Sequence, residues 1–164
     1  MIAALLLPLA CAHLPPAALA PAEGRVLQFG IEIGGRSLAG LAVVDLSAEG
    51  ARLQALTSFG TEVFRVEAGP GGTAVAAADP AWVEALARLP IERDLRLALG
   101  WSCPDGRCAA GEGRVEERAV EGGVERIWRG PEGPATARIR GNRAVLTDPV
   151  RGYTLTLVEA RGDR

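Results

Sequence analysis

Alternation of apolar and polar residues, interrupted by glycine and proline, is the feature that most limits the folds open to this chain. Leu27, Phe29 and Ile31 lie on one side of a period-two pattern, and Gly34 then marks a turn. Such alternation is typical of a strand with one buried face. Four further segments of this kind follow, at 37–46, 52–57, 62–67 and 73–78. The links between them are too short for parallel crossovers, so the first half is predicted to be an antiparallel meander.

A helical pattern replaces the alternation after residue 78. Asp79 is a favoured N-cap and Pro80 a favoured first helical residue. The apolar residues that follow recur at helical spacing, which predicts a helix that runs to about Leu89. A second short helix is predicted over 91–100, although the leucines at 95, 97 and 99 also alternate and leave a strand open.

Strand patterns return in the second half of the chain. They lie at 114–120, 124–129, 136–140, 144–147 and 152–158, with turn signals between them. About five strands, one or two helices and about five more strands predict an α+β fold, in which helices pack on one face of an antiparallel sheet.

The N-terminal segment resembles a bacterial lipoprotein signal. Residues 2–10 carry no charge and end in small residues just before Cys11. The pattern predicts residues 1–11 to be a signal segment in which Cys11 becomes the lipidated first residue of the mature chain. An ordinary cleaved signal or a disordered apolar end stays open. A spanning helix is excluded, because it needs about 20 apolar residues and prolines follow at 15 and 16.

The remainder of the chain is predicted to form one domain behind a tether. Residues 12–24 are rich in Ala and Pro and show no periodicity, which indicates an extended tether. Residues 25–160 have the length of a single domain with its own core. Together with Cys11, this organisation predicts a protein anchored by lipid at the periplasmic side of the outer membrane.

Two further cysteines favour an exported protein. Cys103 and Cys108 flank Pro104-Asp105-Gly106, a strong turn signal that folds the chain back. The turn predicts a disulfide, which an oxidising periplasm would maintain. Metal binding by the pair or free thiols remain alternatives, although zinc requires four ligands.

Catalytic motifs are scarce in this sequence. The sole histidine, His13, lies next to the proposed anchor, so the domain has no imidazole for a nucleophilic triad or a histidine metal site. A carboxylate pair, drawn from residues such as Glu116 and Asp148, remains a weak option for a hydrolase. We therefore predict no catalytic residues, no metal and no cofactor.

Charge offers no sign of a nucleic-acid partner. The net charge is -2, from 18 basic residues, all arginine, against 20 acidic residues, and neither sign forms a long block. We expect a monomer.

The order of elements resembles the periplasmic lipoprotein-carrier and outer-membrane receptor proteins of the LolA/LolB type, with their branch of small uncharacterised bacterial lipoproteins. The resemblance rests on FGTEVFRV at 59–66, the helix at 79–89, LPIERDL at 89–95 and DPVRGYTLTL at 148–157. It implies an unclosed β-barrel whose concave apolar face is covered by one or two helices. It also implies that this hollow receives the acyl chains of lipids or lipoproteins.

The leading hypothesis is therefore an anchored, non-enzymatic protein that binds an acyl chain or a lipoprotein in the hollow. Apolar periodicity selects eight residues as its lining, five on the sheet and three on the helix: Leu27, Phe29, Ile31, Val43, Phe64, Trp82, Val83 and Leu86. The same residues would simply fill a core if the hollow is absent. The alternative is an envelope structural or interaction module with a filled core, whose partner binds an edge strand.

Overall fold

The computed structural model describes residues 14–159, and most of them lie in strands. The thirteen strands in this range are β1 (Ala18–Leu19), β2 (Ala22–Ile33), β3 (Arg36–Leu46), β4 (Ala51–Leu56), β5 (Glu62–Gly69), β6 (Gly72–Ala77), β7 (Trp101–Ser102), β8 (Arg107–Ala110), β9 (Gly113–Val120), β10 (Gly123–Arg129), β11 (Ala135–Arg140), β12 (Arg143–Asp148) and β13 (Tyr153–Glu159). The helices are α1 (Pro80–Ala87), α2 (Ile91–Leu95) and a π-helical turn (Arg96–Gly100).

Eleven of these strands form one curved antiparallel sheet in the order β6-β5-β4-β3-β2-β13-β12-β11-β10-β9-β8. Each half is a meander, and the first long strand joins the last one, with Ile31 opposite Leu155 at the seam. The two outermost strands, β6 and β8, do not pair with each other, so the barrel is not closed. The predicted α+β class and the unclosed barrel are confirmed.

The helical segment lies inside the curve of the sheet. Both α2 and the π-helical turn contact the sheet, α2 on β4 and β5 and the π-helical turn on β10, β11 and β12. Apolar side chains of this segment, Leu86, Leu95 and Leu97 among them, have no exposed surface. The helices therefore fill most of the space that the sheet encloses, and a cavity of about 230 Å³ remains at one end, lined by inner residues such as Leu27, Ala98 and Leu157.

A local sequence signal explains the start of α1. The Asp79 side chain accepts a hydrogen bond from the Ala81 N–H at 2.9 Å, and Pro80 is the first helical residue, as predicted. The second segment is helical rather than extended. Its π-helical turn buries Leu97 and Ala98.

The predicted tether is only partly separate from the domain. Residues 15–20, which we call the N-terminal strap, lie along the edge strand β8 and the π-helical turn. Ala17 N–H donates to Ala109 O at 2.8 Å, Ala109 N–H donates to Pro15 O at 2.7 Å, and Ala20 N–H donates to Gly100 O at 2.8 Å. The prediction of a tether outside the domain is wrong for residues 15–20, because the edge strand β8 offers backbone groups that an adjacent chain can satisfy.

Cys103 and Cys108 form the predicted disulfide, with their Cα atoms 5.3 Å apart. The bond joins the segment after the π-helical turn to β8, and both cysteines are buried. Strands β7 and β8 were not predicted, because the turn signal between the cysteines masks their short extended patterns.

The proposed signal segment and Cys11 lie outside the described residues, so lipidation stays a prediction. Between residues 14 and 159, no helix combines the length and the hydropathy that crossing a membrane requires.

Candidate functional site

A cleft of about 650 Å³ opens where the two edges of the sheet fail to meet. We call it the edge cleft. The first half of the chain lines it near Ala68 and Thr73, the second half lines it along β8, the β8–β9 turn and the β10–β11 turn, and α2 forms its floor. Its lining is Pro16, Ala17, Ala48, Ala68, Thr73, Pro90, Ile91, Glu92, Arg93, Arg96, Trp101, Ala109, Ala110, Gly111, Glu112, Trp128, Pro131 and Glu132.

Two tryptophans belong to the lining of the edge cleft. Trp101 is half-buried, whereas Trp128 is 95 % buried, with 5 % of its surface exposed. The indole of Trp128 fills the space that a Cβ atom would occupy at Gly113 and at Gly130. Any side chain larger than hydrogen at either position would displace the ring. The two glycines therefore allow the flat ring to lie against the backbone.

The floor carries a buried ionic cluster centred on Arg93. Its guanidinium lies 4.7 Å from the centroid of the Trp128 ring and binds two carboxylates, Asp94 at 2.7 Å and Asp148 at 2.8 Å. Glu132 is a third partner, at 3.4 Å. Because Arg93 is held by these contacts and by the ring, it is a fixed part of the floor.

Asp148 is stabilised as an anion. It accepts hydrogen bonds from the backbone N–H groups of Val150 and Arg151, both at 3.0 Å, and from the Arg151 guanidinium at 2.9 Å. Burial raises the pKa of Asp148, but the hydrogen bonds from Arg93 and Arg151 outweigh it and place that pKa below its ordinary value.

Asp94 has the opposite balance. It has no exposed surface, and its Oδ2 atom has no hydrogen-bond partner among the described residues. Burial raises the pKa of Asp94 to about 7, although the charge and the hydrogen bond of Arg93 oppose the shift. Arg93 thus lies between two carboxylates that differ in their hydrogen bonding. Both oxygens of Asp148 accept hydrogen bonds, whereas Oδ2 of Asp94 has no partner among the described residues.

Charges inside the edge cleft nearly cancel. Arg96 donates to Glu92 at 2.7 Å, which neutralises the second arginine of the floor. Three glutamates and two arginines belong to the lining. The arrangement therefore does not select a strongly anionic ligand.

Six of the eight residues predicted to line the hollow lie in the packed core instead of the edge cleft: Leu27, Phe29, Ile31, Phe64, Trp82 and Leu86. Phe64 is at the centre of this group, with its ring 6.0 Å from that of Phe29, edge to face, and 6.1 Å from that of Trp82, stacked. Phe64 and Leu86 have no exposed surface.

Val43 lies on the opposite face of the sheet, contrary to the prediction. Its neighbours Ala42 and Val44 are fully buried, whereas Val43 is half-buried and pairs with Gln54 on the outer face. The strand carries apolar residues on both faces, so alternation did not identify the inner one. Val83 is also only half-buried, because Trp82 and Leu86 form the buried stripe of α1.

Arg93, Asp94 and Trp128 were not predicted as site residues from the sequence. A usable signal was the pair of adjacent charges at 93 and 94, which interrupts the apolar spacing from Ile91 to Leu95. Charged residues within a short helix that is predicted to be buried require partners. Those partners come from β10 and β12, which sequence alone does not bring near α2.

Within residues 14–159, no three His, Cys, Asp or Glu side chains come together as a group that could hold a metal ion. His13 lies outside that range.

A family model described as "Protein of unknown function (DUF3261)" matches residues 26–161. No curated protein matches the chain.

Proposed function

The chain belongs to the DUF3261 family, and we propose that it is a non-enzymatic protein of the bacterial envelope that binds a lipid acyl chain in the edge cleft. The single observation that carries the proposal is the failure of the sheet to close, which leaves this cleft beside Trp101, Trp128 and Ile91. The sequence predicted a ligand in the hollow of the barrel. Because the helices occupy that space, we propose the open side of the barrel as the binding site instead.

The size of the edge cleft supports a chain-like ligand. Pockets for small molecules measure roughly 300–1,000 Å³. Each buried methylene contributes about 0.8 kcal/mol, so a segment of about ten methylenes can offset the cost of association. The near-neutral charge of the cleft is consistent with a ligand whose headgroup stays outside.

The location in the envelope rests on other features. Cys11 and the uncharged run before it predict a lipid anchor, and the disulfide is typical of exported proteins. The resemblance to carriers and receptors of the LolA/LolB type supports the same ligand class, through the unclosed sheet with helices inside it.

The test is saturable binding of a fluorescent fatty acid to the delipidated full chain carrying Cys11→Ser, so that no anchor is attached. Thr73 is exposed on β6 and lines the edge cleft. In the Thr73→Trp variant an indole would occupy the cleft, and we expect the affinity to fall at least tenfold.

The matched control is Thr147→Trp. Thr147 is also an exposed strand threonine, but it lies on the outer face of β12, away from the cleft. Its affinity should stay within twofold of the unsubstituted chain. Equal losses in both variants, or no saturable binding by the unsubstituted chain, would show that the edge cleft is not an acyl-chain site.

An interaction module, whose partner binds an edge strand, remains the second candidate function because of strand β6. β6 is an edge strand of sequence GTAVAA, without a charge or a proline. Edge strands of this composition can accept an added strand from a partner. A folded chain that binds no fatty acid would favour this candidate.

A further inference from the structure

Most of the charged residues on the outer face of strands β8 to β12 are arginines. In each of these strands the inner residues are known from burial, for example Cys108, Val115 and Ala137, so their neighbours face outward. The outward arginines, all exposed, are Arg107, Arg114, Arg118, Arg129, Arg138, Arg140 and Arg143. We call this surface the basic face.

Outward acids on the same strands are few. They are Glu116 and Glu125, so seven arginines against two glutamates leave a charge of +5. The connecting turns add Glu112, Glu121 and Glu132, which still leaves +2. On the outward positions of β2 to β6 and β13, by contrast, the acids Glu32, Asp45, Glu62 and Glu67 stand against two arginines, Arg52 and Arg65. A chain of net charge -2 thus concentrates positive charge on one side.

The two glutamates do not neutralise the basic face. Glu125 is only 2 % exposed and is shared by Arg118 and Arg138, whose side chains are 65 % and 66 % exposed. These hydrogen bonds, that of Arg138 first, lower the pKa of Glu125. Glu116 is likewise shared by Arg114 and Arg129, at 3.4 and 3.5 Å.

Three arginines of the basic face, at 107, 140 and 143, have no carboxylate within 4.0 Å in the described part of the chain. Arg140 and Arg143 are directly opposite each other on paired strands. Like charges in this position are unfavourable by themselves. An external anion at this place would relieve the repulsion and use guanidinium groups that no carboxylate of residues 14–159 occupies.

We propose that the basic face docks on an anionic phospholipid surface through lipid phosphates. The basic face is about five strands wide, near 20 Å at the usual strand spacing, so several of its arginines can reach lipid phosphates at the same time. Its outward positions contain no aromatic residue, whereas single-stranded nucleic acid is typically bound by aromatic stacking. The proposal is independent of the edge cleft and of lipidation at Cys11.

The test is sedimentation of the full chain carrying Cys11→Ser with vesicles of phosphatidylglycerol and phosphatidylethanolamine, compared with phosphatidylcholine vesicles. We expect binding to the anionic vesicles that falls when NaCl rises from about 0.05 to 0.5 M, since salt screens exposed charges. Substitution of Arg107, Arg140 and Arg143 by Gln should weaken partitioning more than about tenfold, as each arginine near an anionic surface contributes about fivefold.

The matched control replaces Arg36, Arg52 and Arg65 by Gln, with the same change in net charge on the other half of the molecule. All three are exposed or half-exposed and pair with Asp79, Asp45 and Glu67. This variant should bind within threefold of the parent. Thermal unfolding of both variants checks the fold. Equal weakening in both variants, equal binding to neutral vesicles, binding that ignores salt, or binding to heparin or DNA but not to vesicles would overturn the proposal.

Discussion

Single residues of the cluster under the edge cleft differ in their protonation although they share one arginine. Asp148 is surrounded by donors, whereas one oxygen of Asp94 lacks any partner in the described range. The difference follows from position, because Asp148 begins the β12–β13 turn and receives its N–H groups, while Asp94 lies within the buried helix α2. Because both residues are aspartates, the residue type alone does not predict which of the two has the raised pKa.

The pKa of Asp94 predicts how stability depends on pH. Its folded pKa of about 7 lies above the ordinary value of 3.8, so the folded state holds a proton that the unfolded state has released between these values. Stability should therefore fall as pH rises from 5 to 8, by an amount on the order of 3 kcal/mol. Asp148 adds nothing in this window, because its lowered pKa leaves it charged in both states.

The Asp94→Asn variant should lose most of this pH dependence, since it has no proton to release. Urea unfolding at pH 5 and pH 8 measures the effect on both proteins. A variant that keeps the slope of the parent would show that Asp94 is not the titrating group.

Strands and helices show how far local pattern determines an element. The Asp79-Pro80 signal and the hairpin glycines predicted α1 and the long strands close to their observed bounds. The pattern at 91–100 was ambiguous, and burial inside the sheet selected a helix. Val43 shows the limit for strands, because alternation locates a strand but not its inner face when both faces are apolar.

The disulfide joins two residues of one short segment, so its effect on the free energy of unfolding should be modest. The bond closes a loop with a sequence separation of 5, which on the loop-entropy model corresponds to about 2 kcal/mol. Reduction of the full chain should lower the free energy of unfolding in urea by about this amount. A variant with Cys103→Ser and Cys108→Ser should match the reduced protein and should not respond to reductant. A parent chain that is equally insensitive would contradict this account.

The whole molecule depends on the seam between its first and last long strands. The pairing of β2 with β13 makes one sheet from two meanders, and Leu155 at the seam has no exposed surface. A Phe64→Asp substitution would not test ligand binding, because it places an unpaired charge in the common core.

Weakening the seam should loosen both halves together. We expect Leu155→Ala to cost about 2–5 kcal/mol, as for other buried leucines. Hydrogen exchange should then accelerate by similar factors in β5 and β11. The control Val158→Ala changes the same strand on its outer, half-buried side and should cost less than about 1 kcal/mol. Acceleration confined to one half would show that the two meanders are stable separately.

The sequence by itself determined the α+β class, the order of the elements and the disulfide, because alternation, capping residues and turn residues act over a few neighbouring positions. It did not determine the filled centre, the edge cleft, the Arg93 cluster or the basic face. Each of these joins residues far apart in the chain, such as Arg93 with Asp148 or Arg107 with Arg143. Only the closure of β2 on β13 and the curvature of the sheet decide which of these residues meet and which face they share.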